Sequence, residues 1–124
     1  MKPLIWTGRV LSALVCFPFV MGAAMKLTQH PDIFKNLEHF GIPGTLVRTI
    51  GTLEIISVVL YLVPQTAVLG AIVLTGYLGG AIMTHLRLGE PVVMQPLLGA
   101  VAWLALWLRD KRLRELLPLR QLKF

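Results

Sequence analysis

TIGTLEIISVVLYLVP, residues 49–64, carries one charge in sixteen positions, the carboxylate of Glu54. A stretch this apolar reads as a helix in lipid, because a helix satisfies every backbone hydrogen bond within the segment itself. An unsupported carboxylate there is costly, so it must either meet a base or be held neutral. What meets Glu54 therefore decides both the fold and the candidate site.

Composition agrees about the solvent. Apolar residues fill 56% of 124 positions and the mean hydropathy is +0.73, against roughly 45–50% apolar in soluble domains. The length suits one small domain, 1–124. Twelve Lys and Arg against six Asp and Glu give a net charge of +6, gathered at the chain ends and in two loops, a pattern that suits anionic headgroups. The aromatics lie inside apolar runs and are not interleaved with basic residues, so no nucleic-acid partner is expected. The single cysteine, Cys16, cannot form an internal disulfide, a CxxC motif or an all-thiolate metal site, and reads as a small apolar filler.

Four runs approach the ~20 residues that span a hydrocarbon core: 4–25, 46–63, 67–84 and 92–108. The expected fold is all-α, an integral membrane four-helix bundle, since no barrel-like alternation is present. Four crossings put both termini on one side, with 109–124 as a basic tail. Lys2, Arg9, Arg109, Lys111, Arg112, Arg114, Arg120 and Lys123 lie on that side, and Lys26, Lys35, Arg48 and Arg87 on the other. The excess of basic residues predicts a multi-pass protein with cytoplasmic termini. Trp103 and Trp107 suit either an interfacial anchor or ordinary packing, and Arg9 reads as snorkelling to the inner headgroups. A rival reading takes Lys2, Arg9, the apolar 10–21 stretch and Gly22-Ala23-Ala24 as a cleavable secretory signal. Cleavage would leave three crossings and send the basic tail to the wrong side, so the segment is expected to stay.

Between the first two runs, Ile33, Phe34, Leu37 and Phe40 share one helical face, with Asp32 after Pro31 as the expected cap and Gly41 as the stop. This predicts a short amphipathic surface helix between helices 1 and 2, lying on the outer surface. His30 and His39 stand nine apart, off the spacing of paired ligands on a helix, and read as solvated; no metal site is expected. Pro64-Gln65-Thr66 predicts a tight turn and an antiparallel hairpin. The leucine- and arginine-rich tail reads as an inner-surface amphipathic stretch or as a topology signal alone.

Depth and phase then sort the polar residues. Glu54 lies roughly 12 Å below the outer end of its helix, and Lys26, His85 and Arg87 close neighbouring helices on that side. Val47, Gly51, Glu54, Val58 and Tyr61 share one face at 100° per residue, as do Arg9, Ser12, Cys16, Phe19, Ala23 and Lys26, and likewise Leu74, Leu78, Ala81 and His85. Gly76 and Gly80 form a GxxxG on nearly the opposite side from His85, expected to take close helix packing. Two readings of Glu54 stay open, a register lock with a basic partner and a ligand-binding site, with proton transfer third.

The stretch LYLVPQTAVLGAIVLTGYLGGAIMTHLRLGEP, residues 60–91, strongly resembles the DoxX-like family of small bacterial membrane proteins. RVLSALVCFPFVMGAAMKL resembles its first helix, HFGIPGTLVRTIGTLEI its loop and acid-bearing second helix, and WLRDKRLRELLPLR its basic tail. Gln65 departs from the pattern, where a basic residue is more usual. The resemblance implies a four-helix bundle in the bacterial cytoplasmic (inner) membrane. The family's namesake is similar to a small subunit of an archaeal quinol oxidase and thiosulfate:quinone oxidoreductase assembly, and distant relatives look like cargo receptors or assembly factors.

No histidine pair suits haem, no flavin or nucleotide motif occurs, and one cysteine cannot run thiol exchange, so electron transfer by this chain alone is not expected. No catalytic residue is picked out and enzymatic activity is left open. The leading expectation is a pocket in which Lys26, Glu54, His85 and Arg87 orient the polar head of a quinone or lipid while Tyr61 and Tyr77 line its apolar part. The alternative is an accessory or assembly subunit of a membrane complex, or a homo-oligomer, docking through the GxxxG face.

Overall fold

A computed structural model of the chain describes residues 2–120; Lys123 and the side chain of Lys2, both counted in the charge bias, lie outside the described part. Every regular element among the described residues is helical: α1 (Lys2–Leu27), α2 (Pro31–Phe40), α3 (Val47–Leu62), α4 (Ala67–Leu86), α5 (Met94–Arg109) and α6 (Lys111–Leu116). Three stretches, Pro3–Leu27, Gly44–Leu62 and Pro64–Leu86, are long and apolar enough to cross a membrane. Only 28–33% of each apolar window is buried within the protein. The remainder, including Leu14, Phe17, Leu53, Val59 and Ile72, forms an apolar exterior that lipid solvates and water does not. The chain is an all-α membrane bundle.

α5 is shorter than its 92–108 run. It has 16 residues, about 24 Å at 1.5 Å per residue, against a hydrocarbon core of about 30 Å. Pro96 explains the late start, because its ring would clash with the carbonyl four residues back, at Val92, if the helix began earlier. Pro64 ends α3 in the same manner: Val63 before it is extended (φ −78°, ψ 123°), as pre-proline sterics demand. The Thr66 hydroxyl then donates to the Leu60 carbonyl at 2.8 Å, satisfying one of the acceptors orphaned at the helix end.

The four long helices close a ring in which α1 packs on α3 and α5, α3 on α4, and α4 on α5. Adjacent helices run antiparallel. Ser12 meets Tyr61 while Lys26 meets Glu54, and Thr75 meets Trp103 while His85 meets Gln95. Gly8 near the start of α1 abuts Arg109 at the end of α5, so both chain ends share one end of the bundle, the terminal end; the opposite one is the loop end. The expected inward sectors are the buried ones. Val47, Gly51, Glu54, Val58 and Tyr61 are buried on α3, and Ser12, Cys16, Phe19 and Ala23 on α1. Cys16, Phe19, Val58 and Tyr61 of these join Leu74, Leu78, Ala102 and Leu106 in the main core.

α2 forms where its periodicity put it, with Gly41 in the left-handed region (φ +71°) returning its N–H to Glu38 and Leu37. Its start differs from expectation: Nδ1 of His30, not Asp32, accepts the capping N–H, at 3.2 Å from the Asp32 nitrogen. Ile33 and Leu37 bury against Val47, Met25, Ile42 and Ile50 and Phe34 of the same face stays exposed, so α2 roofs the loop end as a surface helix. The tail likewise turns back. Asp110 caps α6, whose Leu113 is buried in the main core, and the Trp107 indole donates to the Leu117 carbonyl at 3.0 Å.

The glycines of α4 differ in what they face. A Cβ on Gly76 or Gly80 would meet nothing within 4 Å, so the GxxxG packs against no other helix among the described residues. The close approach is at Gly70, where a Cβ would sit 2.2 Å from the Tyr61 nitrogen. The three-residue turn holds α3 and α4 together just beyond it, which is where the absent side chain is required.

Candidate functional site

Glu54 is 3% exposed, and its Oε1 takes a short, direct ion pair from Lys26 Nζ, the last basic residue of α1. Two other local choices make that pairing possible. Lys26 sits 15% exposed at the end of an apolar helix, where its long stem lies along the bundle and its ammonium turns inward. Gly22, one turn earlier on the same helix, clears the space: a Cβ there would stand 3.1 Å from Glu54 Oε2 and 3.4 Å from Lys26 Nζ. The phenol of Tyr77 on α4 lies close enough to interact with the same carboxylate, and its ring packs edge-on against Phe19, centroids 6.1 Å apart. A charged pair in so dry a setting holds only while both partners remain.

Above this pair lies a cavity of about 430 Å³. Lys26 and Tyr77 are in its wall, Ile33, Leu37 and Phe40 of α2 roof it, Ile42 and Ile50 line the α3 side, and Gly76, Gly80 and Ala81 form the α4 side. Asn36, Thr84 and His85 add polar groups to its lining. The imidazole of His85 lies tilted against the Phe40 ring (4.7 Å between centroids, 50° between planes), and its Nδ1 is 2.8 Å from the Ala81 carbonyl and 3.5 Å from Gln95 Nε2. Arg87 is exposed and donates to the Phe40 carbonyl; beside it His39 Nε2 and Glu90 Oε1 are 2.6 Å apart. Both contacts tie α2 to the end of α4 over the cavity.

The six residues expected to build a pocket thus divide. Lys26, Tyr77 and His85 line the cavity and Glu54 lies beneath it, held by Lys26. Of the three bases expected to converge on Glu54, only Lys26 reaches it; His85 and Arg87 are turned to α2 instead, because Phe40 offers a ring face and a carbonyl there. Tyr61 is elsewhere altogether. It is 0% exposed, and its hydroxyl donates to the Ala102 carbonyl at 2.5 Å with Ser12 Oγ at 3.4 Å, two turns toward the terminal end. Gly76 and Gly80, expected on a face apart from the histidine, border the same cavity as His85.

Gly22, Phe40 and Gln95 are the contributors that the sequence reading passed over. Gly22 had a signal, since it precedes Lys26 by one helical turn and so shares its face. Phe40 and Gln95 had none, because only loop geometry brings α2 to the cavity and the start of α5 to His85.

The wall of this largely apolar chamber carries an ammonium, a phenol and an imidazole, from Lys26, Tyr77 and His85. No curated protein and no solved structure matches the chain. A family match does, covering residues 10–108 and so the four helices, the roof and every residue of the cavity: the chain belongs to the DoxX-like family.

Proposed function

We propose that the protein binds a quinone or lipid-like amphiphile in the loop-end cavity, with its polar head toward Lys26, Tyr77 and His85 and its apolar body along Ile33, Leu37 and Ile50. The observation that carries this reading is the Lys26–Glu54 pair under an otherwise apolar chamber. A pair serving only to lock register gains nothing from facing a chamber, whereas a ligand oxygen can take the ammonium donors that Glu54 leaves free. Glu54 is then a positioning residue that holds Lys26 inward. The cavity is read as opening on the outer side of the bacterial cytoplasmic membrane. Arg9, Arg109, Lys111, Arg112 and Arg114 crowd the terminal end, and that excess favours cytoplasmic termini with four crossings.

Native mass spectrometry of the detergent-solubilised full chain tests the reading. The wild-type protein is expected to carry a small hydrophobic molecule, and Glu54→Gln to stay folded and lose it. A second reading, the non-catalytic accessory or assembly subunit, is favoured by the open face at Gly76, Gly79 and Gly80, which would admit a helix of a membrane partner. Wild-type protein that copurifies with nothing small, together with an unstable Glu54→Gln, would leave that reading in place of the first.

A further inference from the structure

At the terminal end a second cavity, about 650 Å³, opens between the α3–α4 turn and α6. Its ionisable wall comprises Arg9, Arg109, Lys111 and Arg112 with a single carboxylate, Asp110. That carboxylate is committed to the start of α6, its Oδ1 accepting from the Arg112 nitrogen at 2.9 Å and the Leu113 nitrogen at 3.4 Å. None of the four bases forms an ion pair with a carboxylate among the described residues.

Arg109 is held in an unusual way. Its guanidinium carbon lies 4.7 Å from the centroid of the Tyr61 ring, one terminal nitrogen donates to the Tyr61 carbonyl, and Nε is buried with no hydrogen-bond partner. Of five N–H donors, one is engaged among the described residues. A guanidinium held over a ring, with terminal donors to spare and half withdrawn from water, matches an anion that offers several acceptor oxygens.

The rest of the cavity says which anion. Val68 (41% exposed) and Leu69 (53%) border it and continue into Ile72 (55%) on the lipid-facing side of α4, while Leu116 (53%) borders it from α6. Charge on the inside and an apolar track running out to the acyl layer suit a phosphate that carries hydrocarbon chains. We propose that this groove binds the headgroup of an anionic phospholipid, with Arg109 gripping phosphate oxygens, Arg9, Lys111 and Arg112 completing the neutralisation, and a chain lying along Val68 and Leu69. The site is independent of the loop-end cavity and stands whether or not that one takes a ligand.

The experiment is lipid retention by the full chain in mild detergent, read by native mass spectrometry, with phosphatidylglycerol and phosphatidylcholine of matched chains supplied together. Wild-type protein is expected to retain phosphatidylglycerol in preference. Lys111→Gln with Arg112→Gln, both exposed side chains whose loss leaves the core untouched, is expected to weaken that retention roughly fivefold per charge removed. Arg109→Lys keeps the charge but loses the planar fork, and is expected to lose the preference for the anionic lipid while the thermal melt confirms a folded bundle. Equal retention of the two lipids by the wild type overturns the proposal, as does unchanged phosphatidylglycerol retention in the Lys111/Arg112 variant. Displacement of the lipid by millimolar inorganic phosphate would also overturn it, since the groove would then be a phosphate site with no use for the chains.

Discussion

Glu54 and Tyr61 stand on one buried face of α3, seven residues and about 10 Å apart, 3% and 0% exposed, yet their surroundings are opposites. Tyr61 is packed shut: Gly70 brings the backbone of α4 against its own, Ala102 takes its hydroxyl, and Arg109 covers its ring. Glu54 lies under an open chamber, with the glycines of α4 facing nothing. Burial is alike at the two positions. The difference comes from where the neighbouring helices lack side chains and whether a helix fills the gap.

The sharpest way to break this contrast is to exchange the roles of the glycines. Gly70→Ala drives a Cβ to 2.2 Å from the Tyr61 nitrogen, a backbone clash that no rotamer change relieves, and is expected to cost about 3 kcal/mol or more. Gly80→Ala, in the same helix with nothing within 4 Å, is expected to be neutral or stabilising by up to about 1 kcal/mol. Thermal melts of the two variants in one detergent give the signs directly. Equal destabilisation would mean that the helices do not converge toward the turn.

Next in size is the ion pair, where the two partners are unequal. Lys26→Met strands a carboxylate only 3% exposed and is expected to cost about 3–5 kcal/mol. Glu54→Gln strands an ammonium nearer the rim, which can swing its long stem toward the headgroups, so the loss is expected to be smaller. Adding Glu54→Gln to Lys26→Met should recover most of the stability. A double variant as unstable as Lys26→Met alone would show that packing, not pairing, holds this corner.

The same contrast marks what could be read beforehand. Helix phase was enough to name the buried sectors, because 100° per residue turns the positions of Val47, Gly51, Glu54, Val58 and Tyr61 into one face without knowledge of any neighbour. It was also enough to put Lys26 and Glu54 at one end. Phase alone could not separate Tyr61 from the site, since both ends of the face look identical until α4 and α5 are in place. Nor could it assign the glycines. GxxxG is a sequence pattern that permits close packing, but the demand for it is set by the Pro64–Thr66 turn, which brings α3 against α4 at Gly70. Phase left Lys26, His85 and Arg87 as alternative partners of Glu54; Lys26 takes it, while α2 offers the Phe40 ring and carbonyl to the other two through a loop whose path no periodicity encodes.

The smallest effects sharpen the comparison most, because they separate stability from binding. Tyr61→Phe removes one hydroxyl that, among the described residues, bonds to the Ala102 carbonyl and contacts Ser12. The expected cost is about 1 kcal/mol, with ligand retention at the loop end unchanged. Tyr77→Phe removes a hydroxyl that faces Glu54 at the edge of the chamber. The ring and its edge contact with Phe19 remain, so stability should fall by less than about 1 kcal/mol, while retention of the small hydrophobic molecule should drop. The pair is read in one experiment, melting temperature and bound mass side by side. Were Tyr61→Phe the variant that sheds the ligand, the packed end and the open end would have to trade their roles.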